Sequence, residues 1–421
     1  MGHGHSHQHS SERPPVDQTA ARVLTAVAVA LAVLTVIGVV VLRSDGDVTS
    51  RADELGFASE RFKAEVIAVT LADCSFAAEV GPEQCVSVTV RPSQGPDAGE
   101  PIALGEYAVA DPFLPELSVG DDIVVGYEDD TDTYFYADQE RRPVLLVLFV
   151  LFAACVVALA RLRGLRALVA LGVSVVVLLQ FVVPAVLDGA SPVIVSLVGA
   201  SLIAYLALSL AHGFNPMTTA ALIGALAALV LTALLAWAFF ELASFTGAVS
   251  EEATYLPLLS GELDVRGLLL GGVIIGALGA LDDMTVTQAS AVFELRATDP
   301  TMRARRLYRS AMRIGRDHVG STVNTLLLAY AGASMPLLLL FVLSDQSLGT
   351  VANSEVVAIE IVRTLVGSIG LIAAVPFTTA LAAWLVNGTT VSGTSVSGTQ
   401  EGSASPPSAS TPADPPRTAP G

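Results

Sequence analysis

The sequence predicts an all-α polytopic membrane bundle of about eight transmembrane helices with a small extracytoplasmic β-rich domain. Three observations predict it. Of the 421 residues, 52% are hydrophobic, and they gather in runs of membrane-spanning length. Residues 43–142, between the first two runs, alternate like strands and carry 22 acidic residues against seven Lys or Arg. Arginines concentrate in the segments that one side of a membrane would hold.

Residues 1–20 are polar and read as a disordered cytoplasmic head. Their alternating His3, His5, His7 and His9 can bind a transition metal loosely, but the segment reads first as a flexible, solvated tail, too short to be a selective site alone. Residues 21–42 are long and apolar enough for a transmembrane signal anchor, with no clean small-residue cleavage site behind them.

Residues 43–142 form the acidic β-rich domain. Phe62 to Leu71, Cys85 to Val90, Ile102 to Val109, Asp122 to Tyr127 and Thr131 to Asp138 read as strands separated by turn residues, which suggests a small barrel or sandwich. The domain supplies most of the net charge of −18, which argues against nucleic acid or anionic lipid as its partner. Cys74 and Cys85 would form a disulfide closing a short loop if the domain is extracytoplasmic; two unpaired thiols are the alternative.

The membrane core, residues 143–387, holds seven further apolar runs: 143–160, 165–183, 192–210, 217–240, 266–286, 322–343 and 357–386. Asn215 before Pro216 reads as a helix cap, and Pro336 and Pro376 fall inside runs that must kink or re-satisfy the freed backbone. Residues 388–421 are Ser, Thr, Pro, Gly and Ala in the main and cannot bury a core. Segment 287–321 carries Arg296, Arg303, Arg305, Arg306, Arg309, Arg313 and Arg316, so it is expected in the cytoplasm. Counting spans from it places both termini inside and residues 43–142 outside. Arg141 and Arg142 then lie outside, which a long translocated domain tolerates.

One stretch carries the polar chemistry. Gly272, Gly276, Gly279, Asp283, Thr287, Ser290 and Glu294 step by three or four residues and so share a helix face, with Asp282 beside it. The glycines should admit a neighbouring helix closely. Asp282 lies roughly 22 Å along the helix from Gly267, at the inner part of the bilayer or its cytoplasmic face. Two adjacent carboxylates, with Thr285, Thr287, Gln288 and Ser290 as further oxygens, suit an ion or proton site. Alternatively the carboxylates neutralise arginines at a cytoplasmic mouth. The next segment is amphipathic, with Arg309, Arg313, Arg316 or Asp317, Gly320 and Asn324 in step. It would lie on the inner leaflet before turning into the membrane, its arginines meeting lipid phosphate, or Arg313 or Arg316 would pair with Asp283 or Glu294. Glu360 and Arg363, three apart in the last span, can pair on one face near its outer end. Isolated His212 and His318 read as interface residues or caps.

Four segments carry a resemblance: His212-Gly213-Phe214-Asn215; Gly271 to Glu294; Gly315-Arg316-Asp317-His318-Val319-Gly320 with Asn324-Thr325; and Glu360-Ile361-Val362-Arg363 before Gly367-Ser368-Ile369-Gly370. Through these, residues about 140–388 resemble the YibE/F-like family of bacterial multi-span membrane proteins. The resemblance implies a fold and a membrane location and carries over no catalytic residue.

No Gly-x-Ser-x-Gly, His-Glu-x-x-His or phosphate-loop motif is present, and no second aspartate sits at the depth an intramembrane protease needs. The expectation is therefore a non-enzymatic transporter or channel for a small solute or ion in a bacterial cell membrane. The competing expectation is a scaffold binding a cell-envelope partner through residues 43–142. The bilayer is the expected partner, with a homo-oligomer admitted; the sequence indicates no cofactor.

Overall fold

The computed structural model describes residues 14–44, 60–74, 84–109, 116–129, 131–247, 263–343 and 346–387. His3, His5, His7, His9 and the 388–421 tail lie outside the described residues.

Helix α1 (Gln18–Val41) starts at Asp17, whose carboxylate accepts from the Thr19 and Ala20 amides. Then come five strands: β1 (Glu60–Asp73), β2 (Gln84–Pro92), β3 (Ile102–Ala108), β4 (Asp122–Glu128) and β5 (Thr133–Gln139). They match the five runs expected from alternation. The sheet is antiparallel in the order β3-β2-β1-β4-β5. It curls until its edges meet, where the Tyr136 amide on β5 donates to the Tyr107 hydroxyl on β3 at 3.0 Å. The inward residues Ala64, Val66, Val88, Val90, Leu104, Ile123 and Val125 fill the interior. Cys74 and Cys85 are joined as a disulfide.

Helix α2 (Arg142–Val177) enters directly from β5. A π-turn, Leu178–Val182, and α3 (Val183–Leu187) extend it. Arg161 breaks α2 with φ 52° and ψ −129°, a conformation L-residues rarely adopt. There follow α4 (Pro192–His212), α5 (Pro216–Leu242), α6 (Val265–Thr298), α7 (Ala304–Ala333), α8 (Met335–Leu343), α9 (Leu348–Asn353) and α10 (Glu355–Leu385). Asn215 does cap α5, its side chain accepting from the Thr218 amide at 3.0 Å. Pro336 sits at a 62° bend between α7 and α8, whereas Pro376 lies inside an unbroken α10.

Six helices are long and apolar enough to cross a membrane, with Arg142–Leu187 counted as one; α7 with α8 makes a seventh if the bent pair is one span. The chain is thus a multi-pass membrane protein.

Two ends of the bundle can be told apart. At one end the Asp17 amide donates to the Leu385 carbonyl at 2.7 Å, beside a cluster of Ala20, Leu24, Ala220, Phe293, Leu307 and Val386. At the other, Ser44 meets Asp188, and Glu355 accepts from the Thr246 and Gly247 amides at 2.6 and 2.7 Å. The β-domain lies between α1 and α2 in the chain and runs directly into α2.

The amphipathic segment differs from expectation. Residues 304–333 form one continuous helix with no turn at the supposed membrane surface. The turn falls at Ser334 instead, where Pro336 removes a backbone donor.

Candidate functional site

Helix α6 sorts its residues cleanly. Leu281, Met284, Thr285, Gln288, Ala289 and Val292 are buried in the bundle. Gly272, Gly276, Gly279, Asp283 and Glu294 are exposed, and Thr287 and Ser290 are half-buried. The predicted stripe is therefore real as a face, but its glycines do not seat a helix. A side chain added at Gly272 or Gly279 would meet nothing within 4 Å. Among the described residues most of this face is uncovered.

Helix α7 flanks that face at two points. The His318 Nε2 lies 4.0 Å from the Asp283 carboxylate. Further along, the Tyr330 hydroxyl stands over Gly276, 3.2 Å from where a side chain would begin. Seven residues separate Gly276 from Asp283, about 10 Å along the helix. Asp282 is half-buried, and its Oδ1 is enclosed with no hydrogen-bond partner.

Glu360 and Arg363 pair at 3.0 Å on α10, as their spacing allows. They sit near Tyr330 beside a cavity of about 190 Å³ under the α7–α8 bend, lined among others by Leu338, Ile361 and Thr364. No bond joins Asp282 to Arg363.

Several expected site residues lie elsewhere. Gln288 is a structural cross-link: its amide donates to the Ala311 carbonyl at 3.0 Å and to the Thr379 hydroxyl at 2.7 Å, tying α6, α7 and α10 together. Thr285 is fully buried and bonds back to the Asp282 carbonyl. Arg313, Arg316, Asp317 and Asn324 lie on the exposed side of α7. Neither arginine pairs with Asp283 or Glu294 among the described residues. Arg296 is buried and holds the α6–α7 turn through the Pro300 and Met302 carbonyls. In that turn Asp299 accepts from the Thr301 hydroxyl, which holds its carboxyl below the usual carboxylate range.

Two residues were missed or underrated by the sequence. His318 looked isolated because its partner is on another helix. Tyr330 carried no local signal, although it follows Asn324 by six residues on an apolar run. No group of three or more His, Cys, Asp or Glu able to hold a metal occurs among the described residues.

A family model described as YibE/F-like protein matches residues 148–388, which contain every one of these helix residues. No curated protein and no solved structure matches the chain.

Proposed function

This chain belongs to the YibE/F-like family, and from that premise we propose that its membrane core conducts or transports a small ion or solute along the open face of α6. The observation that carries the reading is the unpacked stripe itself. The Asp283 carboxylate, facing lipid, would be left without partners, so its end of this face belongs to a watered groove or protein contact. Asp282 and Asp283 are the proposed binding or coupling groups, with His318 beside them. Thr287, Ser290 and Glu294 continue the route toward the end of the bundle where the termini meet. Arg313, Arg316, Asp317 and Asn324, on the exposed side of α7, take no part in this route, and the Glu360–Arg363 pair would sit near its opposite entrance. We assign the chain no catalysed reaction.

We read eight crossings. The Asp17–Leu385 contact, which joins the two ends of the described bundle, supports an even number of crossings. Arg163 lies close enough to His212 for their charges to interact, and His212 leads into α5 at the termini's end. Breaking α2 at Arg161 and counting α7 with α8 as one span gives eight. The arginines between α6 and the middle of α7 support the reading that the termini are cytoplasmic and residues 43–142 lie outside a bacterial cell membrane.

Proteoliposome flux of protons and cations tests this, with wild type beside Asp282→Asn/Asp283→Asn. Flux lost in the double variant is the expected result. No flux under any gradient from folded wild-type protein would sink the transport reading. It would favour the outer domain as a scaffold for an envelope partner, for which deletion of residues 57–140 is the decisive variant.

A further inference from the structure

The β-domain is acidic as a whole, yet its few cations converge. On β1, inward Phe62, Ala64 and Val66 alternate with outward Arg61, Lys63 and Glu65. The outward pair opens onto a groove of about 360 Å³ also lined by Ser93, Gln94, Glu140, Arg142 and Pro143. An adjoining groove of about 520 Å³ shares Lys63 and Ser93 and adds Arg91.

The one carboxylate lining the first groove is already engaged. The Glu140 side chain is 3% exposed and is clasped by the Arg142 guanidinium through its Nε and Nη2. That leaves Arg142 Nη1 uncommitted and fixes the guanidinium plane. Lys63 donates to Asp122 at 2.8 Å and keeps two further protons. Arg61 forms no ion pair among the described residues. The groove therefore presents oriented cation donors from three side chains, with the start of α2 beside them.

What lies below the groove identifies the occupant. Pro143 is the first turn of α2, and Val144, Leu145, Val147, Leu148 and Leu151 are all more than half exposed. None of the apolar window that begins there is buried by the rest of the protein. A cationic groove continuous with a bare apolar helix has the shape of an amphiphile: charged end above, chains below.

We propose that this groove binds the phosphate of a phospholipid headgroup, with the acyl chains along the first half of α2. The domain's overall acidity does not forbid this, because screening limits the distant carboxylates to about one Debye length, near 10 Å. Phosphate is the shared chemistry, and a soluble phosphate is the other possible source.

Native mass spectrometry of the full chain in detergent tests the proposal with three probes at equal concentration. Phosphatidylglycerol carries phosphate and tails, diacylglycerol carries tails alone, and glycerol phosphate carries phosphate alone. Phosphatidylglycerol alone should bind, and its affinity should fall about fivefold for each cation removed in Arg61→Ala and Arg61→Ala/Lys63→Ala. Arg305→Ala/Arg306→Ala, at the start of α7, should leave it unchanged. Equal binding of diacylglycerol, or equal loss in the Arg305/Arg306 variant, would overturn a phosphate site here. Competition by glycerol phosphate as strong as by the lipid would reassign the groove to a soluble anion and overturn the lipid. Protease resistance of the barrel in Arg61→Ala, an outward substitution, confirms that any loss is not unfolding.

Discussion

A carboxylate inside a membrane helix costs free energy unless something answers it, and one Asp282 oxygen is unanswered. Asp282→Asn removes the charge and keeps the shape. It should raise the thermal unfolding temperature in detergent, by the equivalent of about 1 kcal/mol, while impairing flux. Gln288→Ala has the opposite sign. It strips two hydrogen bonds from a buried junction of three helices and should cost about 1–3 kcal/mol. A lower melting temperature for Asp282→Asn would mean the carboxylate is holding the fold. Helical periodicity already contained part of this distinction. Gln288 lies five residues from Asp283, about 140° around the helix, so the two cannot share a face. The His318–Asp283 approach was not legible, because it depends on how α7 crosses α6 and no local spacing encodes that.

At the scale of the element, glycine means different things on different helices. A side chain added at Gly370 on α10 would collide with Thr232 on α5, and one at Gly315 would sit 2.7 Å from Gln288 Oε1. Those glycines let helices touch. Gly279 on α6 faces open space, so the same residue type there marks an uncovered face and not a seam. Gly370→Val should destabilise the bundle by about 1–3 kcal/mol through overpacking, and Gly279→Val should leave its melting temperature nearly unchanged while narrowing the groove. Thermal melts of the two variants, with flux for the second, decide the point. Strand and span positions were readable because periods of 2 and runs of apolar residues are local properties. The continuity of α7 was not. Its polar first half and apolar second half read as two environments, and the same helix passes through both.

For the whole molecule, the joint between barrel and bundle is electrostatic. Hydrogen bonds from the Gln139 amide and the Arg141 side chain hold the Asp138 carboxyl below its ordinary value, and the Arg142 clasp does the same for Glu140. Lowered folded values mean that the stabilisation is present above the unfolded carboxylate values, about pH 4. It is lost as pH falls through the lowered ones. Limited proteolysis at the 139–143 junction should therefore stay slow at neutral pH and accelerate in acid below that range. Uniform cleavage across the whole pH series would show that the pairs do not hold the joint. The two-part architecture was legible from composition, since acidity and apolarity separate along the chain. The gathering of Arg61, Lys63 and Arg142 was not, because β1 and α2 are about eighty residues apart and only the strand order β1-β4-β5 brings them together.

The hydrogen bond between Asp17 and Leu385 makes the described bundle nearly a closed ring in its connectivity. A short peptide could join the two ends and a new opening could be cut in the α6–α7 turn at residues 299–303, with every helix keeping its neighbours and its direction. Two halves of a split reporter, inserted beside Asp17 and Leu385, would be held within reach of one another. Their reassembly would then read out the intact bundle in a living cell.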